Sequence, residues 1–378
     1  MENTAPSVLA AIDAAVLAPV VRQSLGRRSI EIDDWRVSQL GGGAGNPVSV
    51  GLYRFEGIGQ DHAERVPWSV ILKVIQSPAN VGWENMGEGD DPTHWNYWKR
   101  EVRLYPSGLL DDLPEGLTVP RCFGTAELPG NTAWLWLEDI RDAGSNDWTL
   151  ERYALTARHL GRLNAHFLTA RPLPAFDWLD RRRMQQWVDS MPNGKDFPWD
   201  HPRVLERYPQ PEANPFRQML LDSGRTLAAL DRLPHTLSHG DTYPTNFKSR
   251  QDGGRELTVA LDWALAGIEP LGDDLGQFVF GAQNNLADQP PEVVCETLFE
   301  GYIAGLRDCG WRGDATLARF GFAASAALRV GLFQVILLSE ELKQAAPQAI
   351  EPGGRQNVPD CFEVVMAREA CALLEKIE

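Results

Sequence analysis

Hydrophobic and polar residues alternate along much of the first third of the chain. The pattern covers the runs Trp35–Leu40, Val48–Phe55 and Trp68–Ile75. Two more strands are predicted over Cys122–Glu127 and Thr132–Ile140, with a turn at Pro129-Gly130. The first three runs are also rich in Val, Ile, Tyr and Trp, which is typical of half-buried antiparallel strands. We therefore predict a small antiparallel sheet in this part of the chain.

Apolar residues at helical spacing dominate the rest of the sequence. One helix is predicted within the strand region, over His94–Leu109, and another near the N-terminus, over about residues 5–24. Further helices are predicted over Thr149–Ala170, Pro215–Leu233, Glu292–Arg307, Ala315–Glu341 and Pro359–Ile377, with a hairpin over Phe247–Ser249 and Leu257–Trp263. A chain of 378 residues is long for one core. We predict an α+β protein with a strand-rich domain, 1–139, and a mostly helical domain, 140–378.

The charge balance narrows the class of partner. The formal net charge is −16, and nucleic-acid binding requires clustered Lys and Arg, so we expect no nucleic-acid partner. The acidic excess either serves solubility alone or attracts a cationic substrate, and both interpretations stay open.

Cysteine usage and hydropathy indicate a cytoplasmic protein that does not span a membrane. The five cysteines are scattered and lack the spacing of a zinc or redox motif, as reduced thiols do. The N-terminus lacks the basic opening of a signal peptide. The most apolar later stretch, Phe320–Leu338, is short for a membrane span and carries Arg329 at its middle, so we predict a buried helix.

The stretch Ser238–Phe247, SHGDTYPTNF, combines turn-forming residues with a carboxylate and an amide. Asp, Gly, Asn and Pro all favour turns, so a surface loop is the plain interpretation. The spacing H-G-D-x-x-x-x-N also matches the kinase catalytic loop H-R-D-x-x-x-x-N, with Gly240 in place of Arg. In that arrangement Asp241 presents a base, and Asn246 presents an amide oxygen to a metal ion.

A second carboxylate follows at the end of the apolar run LTVALDW. An aspartate at a strand end, as Asp262 is here, is most often a turn former. Asp262 lies across the predicted hairpin from Asn246, however, and amide and carboxylate oxygens are suitable ligands for Mg²⁺. The two residues are therefore candidates for one metal site.

HGDTYPTNF followed by LDWALAGIEPLGDDLG resembles the aminoglycoside phosphotransferase and choline kinase-like family, relatives of the protein kinases. The resemblance rests on three separated elements in the proper order. It implies a two-lobed protein kinase-like fold, with a small antiparallel-sheet lobe that contains one central helix and a larger, mostly helical lobe. It also implies that Asp241 is the catalytic base and that Asn246 and Asp262 are Mg²⁺ ligands.

The resemblance assigns supporting roles around the loop as well. Asp274 in DDLG would brace the catalytic loop, and Asp273 is the alternative for that role. His239 would form hydrogen bonds within the loop, although an imidazole is also able to serve catalysis or bind a metal.

Two further residues are expected in the strand-rich region. The family has a lysine on the third strand, and Lys73 in WSVILKVI fits, although an edge lysine could instead extend to solvent. The family also has a helix glutamate that holds this lysine, and Glu101 in YWKREVRLY fits. Its neighbours Lys99 and Arg100 are expected to be exposed, and a solvated Glu101 is the plain alternative. Together the two residues predict an ion pair at the nucleotide phosphates.

The nucleotide also requires a cover and a hinge. Gly42 and Gly43, in the run Gly41–Gly45, lie between the first two predicted strands, where a flexible loop over phosphates belongs. The run lacks both G-x-x-x-x-G-K-[ST] and G-x-G-x-x-G, and an ordinary glycine-rich hairpin loop is the alternative. By resemblance, Glu138 and Ile140 form the hinge whose backbone groups hold the adenine edge.

The resemblance implies a Mg²⁺-dependent phosphotransferase that uses ATP or GTP. Its acceptor would be a hydroxyl of a small molecule: an aminoglycoside, a choline-like alcohol or a sugar. The alternative is a catalytically silent nucleotide-binding module, although such proteins usually lose a key group and none is missing here. A protein kinase is disfavoured because Asp-Phe-Gly and Ala-Pro-Glu are lacking. The aromatic and Arg-rich segment Phe176–Pro202 either shapes the acceptor pocket or packs beneath a basic surface, and the oligomeric state stays open.

Overall fold

The computed structural model describes residues 9–41, 46, 48–62, 64–81, 89–142, 148–190, 197–344 and 361–378. The chain divides into two compact units. The first unit comprises residues 1–112, 118–144 and 248–265, and the second comprises residues 113–117, 145–247 and 266–378. The predicted domain boundary after residue 139 stays a prediction; the later hairpin groups with the first unit.

Antiparallel strands form the framework of the first unit. The strands among the described residues are β1 (Glu31–Leu40), β2 (Ser49–Asp61), β3 (Glu64–Gln76), β4 (Leu117–Thr118), β5 (Cys122–Leu128), β6 (Thr132–Glu138), β7 (His235–Ser238), β8 (Phe247–Asp252), β9 (Arg255–Ala260) and β10 (Gly267–Pro270). The first unit contains the sheet β1-β2-β3-β6-β5, in which each neighbouring pair is antiparallel. The predicted sheet is confirmed. Strand β1 begins at Glu31, earlier than the predicted start at Trp35. The prediction missed this start because most residues of β1 are exposed and polar, and no hydrophobic alternation marks it.

The larger apolar cluster of the first unit lies on one face of this sheet. Val70, Leu72 and Val74 of β3 are 0% exposed, and helix α1 (Ala14–Leu25) packs against this face with Leu17 and other apolar side chains. Successive residues of a strand point to opposite faces. The opposite face of β3 carries Lys73 together with Ile75, which belongs to a second, smaller apolar cluster.

The helix predicted over His94–Leu109 is reduced to the short helix α2 (Arg100–Leu104). The side chain of Arg100 accounts for the late start, since it donates to the carbonyls of His94 at 2.6 Å and Trp95 at 2.7 Å. These carbonyls would otherwise serve the first turn of a longer helix. Arg100 is 0% exposed, so the expectation that it is exposed is wrong.

The second unit is mostly helical. Its helices are α3 (Leu150–Thr169), α4 (Arg183–Ser190), α5 (Pro202–Arg207), α6 (Pro215–Leu221), α7 (Ser223–Asp231), α8 (Asp273–Asn285), α9 (Pro291–Asp308), α10 (Ala315–Gln344) and α11 (Phe362–Ile377). Strands β7 and β10 add an antiparallel pair. The predicted α+β class is confirmed.

Two features of the helical pattern differ from the prediction. The helix predicted over Pro215–Leu233 is broken at Asp222, whose φ of −114° and ψ of 35° are not helical. Asp, Ser and Gly follow one another there, and all three are weak helix formers. Helix α8 is not indicated by the sequence pattern, because its first turn carries Asp273 and Asp274 where apolar residues would mark a helix.

The apolar stretch Phe320–Leu338 lies inside α10. Leu328 and Leu332 are 0% exposed, as predicted for a buried helix. By length and composition α10 could cross a membrane, but 72% of its apolar window is buried within the protein. We therefore describe α10 as a core helix of the second unit.

The predicted hairpin is present as β8 and β9, joined through Gly253 and Gly254 at φ values of +56° and +82°. The second arm ends at Ala260 instead of Trp263. It ends early because Asp262 adopts a left-handed conformation, with φ of +58°, which no strand can continue.

Candidate active site

Three charged side chains meet in the first unit. Lys73 Nζ donates to Glu101 Oε2 at 2.6 Å and to Asp262 Oδ1 at 2.6 Å. Lys73 projects from the centre of β3, between Leu52 of β2 and Leu135 of β6. The side chains of Lys73 and Glu101 are 12% and 2% exposed, and that of Asp262 is 34% exposed. The predicted Lys73–Glu101 pair is present, and Asp262 joins it.

Two carboxylates share one ammonium group in this cluster. Burial would lower the pKa of Lys73, but the charges of Asp262 and Glu101 outweigh it and raise that pKa above its ordinary value. Burial raises the pKa of Glu101, Lys73 lowers it, and the charge of Asp262 raises it again. Lys73 is therefore an ammonium ion that the two carboxyl groups share.

Helix α2 holds the segment that carries Asp262. The backbone N–H of Trp263 donates to Glu101 Oε1 at 3.2 Å, and Arg100 donates to the carbonyl of Ala264 at 2.9 Å. The left-handed backbone of Asp262 is uncommon for a residue other than glycine, and such conformations cluster at functional sites. The role of Arg100 has no signal in the sequence, where it is one of several charged residues in YWKREVRLY.

The loop after β7 brings Asp241 and Asn246 together in the second unit. Asn246 Nδ2 donates to the backbone carbonyl of Asp241 at 2.9 Å and to its Oδ2 at 3.0 Å. A 3₁₀ turn over Pro244–Asn246 bends the chain back to make this contact. Because Nδ2 makes both bonds, the amide oxygen of Asn246 takes no part in them.

Asp274 braces this loop from the first turn of α8. Its Oδ1 accepts from Ser238 Oγ at 2.7 Å and from the backbone N–H of Gly240 at 3.1 Å. Its Oδ2 accepts from the backbone N–H of His239 at 3.2 Å. The prediction that Asp274 has this role is confirmed. The alternative, Asp273, accepts from Arg183 of α4 at 2.6 Å and touches the loop only through a longer bond from Ser238 Oγ, at 3.3 Å.

His239 has the structural position predicted for it. The side chain is 0% exposed, and its Nδ1 accepts from the backbone N–H of Asp241 at 3.2 Å. The ring packs beside Phe247, with centroids 5.4 Å apart. His239 therefore fixes the start of the loop.

The other residues predicted to contact the nucleotide are Gly42, Gly43, Glu138 and Ile140. Gly42 and Gly43 lie outside the described residues. The backbone N–H of Glu138 donates to the carbonyl of Arg121 at 2.9 Å, and its side chain pairs with Arg250 at 2.8 Å. The N–H of Glu138 is therefore already engaged. A hinge contact through a backbone N–H would fall to Ile140, which follows the end of β6.

Two buried arginines of the second unit were not predicted as site residues. Arg183 binds Asp273, and Arg329 of α10 lies 3.8 Å from the carboxylate of Asp241. For Arg329 a signal exists, since a charged residue in the middle of an apolar helix requires a partner. For Arg183 there is none, because it stands in a run of three arginines.

Comparison with known proteins finds small-molecule kinases at low identity. No protein-family model matches the sequence, and no curated protein matches it. Among solved structures, the amicoumacin kinase hAmiN, in complex with AMP-PNP, Ca²⁺ and Ami, shares 16% identity at a TM-score of 0.48, over 98% of this chain and 96% of that one. The microcompartment-associated aminopropanol kinase shares 14% identity at a TM-score of 0.49, over 94% and 96%.

The choline kinase LicA from Streptococcus pneumoniae shares 16% identity at a TM-score of 0.46, over 92% of this chain and 94% of that one. This chain is similar to these kinases along nearly its whole length.

Proposed function

We propose that this protein is a phosphotransferase that moves the γ-phosphoryl group of ATP or GTP to a hydroxyl group of a small molecule. The observation that carries the proposal is the ammonium group of Lys73, held at 2.6 Å by both Glu101 and Asp262. A buried lysine fixed by a helix glutamate is suited to bind nucleotide phosphates, and an aspartate beside it is suited to bind their metal ion. The acceptor would be an aminoglycoside, a choline-like alcohol or a sugar, and we propose a cytoplasmic enzyme.

Asp241 would be the base of this reaction. Its carboxylate would accept the proton of the acceptor hydroxyl while the hydroxyl oxygen forms a bond to the γ-phosphorus. The bond between the γ-phosphorus and the bridging oxygen breaks, and its electron pair leaves with the nucleoside diphosphate. Asn246 holds one carboxylate oxygen of Asp241 at 3.0 Å, so the base is oriented before the acceptor arrives.

We propose that the enzyme uses Mg²⁺. The described part of the chain contains no group of three or more His, Cys, Asp or Glu side chains placed to hold a metal ion. Mg²⁺ in kinases commonly takes one or two protein oxygens together with substrate phosphates and water. The amide oxygen of Asn246 and the carboxylate of Asp262 would supply them. When bound, Mg²⁺ would offset charge on the nucleotide phosphates.

A nucleoside diphosphate release assay tests the proposal. Purified protein with MgATP or MgGTP is screened against aminoglycosides, choline analogues and sugars, and the product is identified by mass spectrometry. Asp241→Asn should lower turnover by about 10²–10⁴-fold, because the base is lost while the shape is kept. Asp231→Asn, at an exposed position at the end of α7, is the matched control and should keep full turnover.

Near-wild-type turnover in Asp241→Asn would contradict the assignment of the base. Protein that binds MgATP but releases no diphosphate with any acceptor would favour the catalytically silent module instead. For the metal, Asp262→Ala should raise the Mg²⁺ concentration needed for half-maximal turnover; an unchanged requirement would remove Asp262 from the metal site.

A further inference from the structure

Arg329 is a buried cation to which the proposed reaction assigns no role. It lies in the middle of α10 and is 5% exposed. An arginine in an apolar helix is costly unless its guanidinium group finds a charged or aromatic partner. Its partners therefore indicate why this position carries a charge.

The guanidinium group faces the candidate base. Arg329 Nη2 lies 3.8 Å from Asp241 Oδ1, and the group stands over the ring of Trp187 at 5.5 Å. Among the described residues, Nη1 is buried with no hydrogen-bond partner. The other charges that act on Arg329 are those of Arg183, Asp273 and Asp274. Asp273 is paired with Arg183, and Asp274 with the catalytic loop, which leaves Asp241 as the carboxylate next to Arg329.

The two oxygens of Asp241 have different neighbours. Asn246 donates to Oδ2 at 3.0 Å, while Oδ1 faces Arg329. The side chain of Asp241 is 29% exposed and that of Arg329 is 6% exposed. An acceptor hydroxyl can thus approach Asp241 from solvent, while Arg329 stays behind the carboxylate.

We propose that Arg329 is a positioning residue for Asp241: from α10 its charge attracts Oδ1 at 3.8 Å, beyond hydrogen-bond distance, while Asn246 donates to Oδ2, and together they favour one direction in which the carboxylate meets the acceptor hydroxyl. The inference rests on the proposed function. A carboxylate that is attracted by a cation at one oxygen and hydrogen-bonded at the other has less freedom to rotate, and misorientation of a catalytic group costs up to about 100-fold in rate. The guanidinium group stands over the ring of Trp187, which gives this tryptophan a part in the site.

Variants of Arg329 test this role. Arg329→Ala should lower kcat by about 10- to 100-fold with little change in the KM for nucleotide, because phosphate binding uses Lys73. Millimolar guanidinium should restore part of the lost turnover by filling the vacated position, whereas urea, a neutral molecule of the same shape, should not. Arg319→Ala is the matched control, since Arg319 lies on the same helix and pairs with Glu296 and Glu369. It should leave turnover intact and show no response to guanidinium.

Turnover of Arg329→Ala equal to that of Arg319→Ala would overturn the inference. Rescue by urea as strong as rescue by guanidinium would overturn it as well, because it would indicate a filled cavity and no charge effect. A second readout needs no acceptor: the ¹³C resonance of the Asp241 carboxyl carbon should shift in Arg329→Ala and stay in place in Arg319→Ala. If the wild type transfers no phosphoryl group, the proposed function fails, and this resonance still decides whether Arg329 acts on Asp241.

Discussion

The ion-pair cluster of the first unit allows a quantitative prediction. Lys73→Met removes the ammonium group and leaves Glu101, whose side chain is 2% exposed, without its counter-ion. Breaking a buried pair from one side costs about 3–5 kcal/mol of unfolding free energy, since the remaining charge is buried and uncompensated. Glu101→Gln should cost only about 1–2 kcal/mol, because Lys73 keeps Asp262 and the new amide oxygen can still accept from Trp263.

The double variant separates pairing from mere proximity. In Lys73→Met with Glu101→Gln the buried charges are gone, and Asp262 is exposed enough to be solvated. We expect a total loss of about 2–3 kcal/mol, which is at least about 1 kcal/mol less than the sum of the single losses, about 4–7 kcal/mol. The exposed pair Arg27–Glu64 of the first unit, at 40% and 62% exposure, is the control and should show a coupling of about 0.5 kcal/mol or less.

Native-state hydrogen exchange of the β3 and β6 amides is the suitable measurement, because it reports the stability of the first unit by itself. Single losses that add within about 0.5 kcal/mol would refute the pairing of Lys73 with Glu101. A loss in Lys73→Met no larger than that in the exposed control would refute the burial argument.

Three further predictions concern the second unit. Burial and neighbouring arginines lower the pKa of His159 to about 4, so the folded state binds fewer protons than the unfolded state. The free energy of unfolding should therefore fall by up to about 3 kcal/mol as the pH drops from 6.5 to 4. In His159→Gln the midpoint of urea unfolding should depend less on pH over this range. Gly281→Ala should lower kcat without unfolding the protein, because its Cβ would lie 2.3 Å from Pro244 Cδ in the candidate catalytic loop; unchanged kinetics would show that the loop accommodates the methyl group. Arg183→Met should lower the free energy of unfolding by about 3–5 kcal/mol, seen as a lower melting temperature, because it leaves the buried carboxylate of Asp273 without its counter-ion. A stabilised variant would contradict this.

Local sequence determined the parts of the site that depend on short separations. One 3₁₀ turn bridges the spacing of Asp241 and Asn246, so the pattern predicted both residues for one loop, whereas the hydrogen bond between them was not predicted. The strand β3 follows from alternation, because a period of two decides which side chains face the core. Alternation also placed Lys73 on the face opposite the packed valines.

Only the tertiary structure decided which distant charges meet. Asp262 reaches Lys73, Arg100 is buried against the carbonyl of Ala264, and Arg329 lies behind Asp241. The hydrophobic periodicity of a helix or strand indicates which of its residues face the core and which face solvent. It contains no information on which residue of another element contacts a charged side chain. Burial of a charge is stable only when a partner from another part of the chain offsets the loss of water, and that partner is chosen by the packing of the elements.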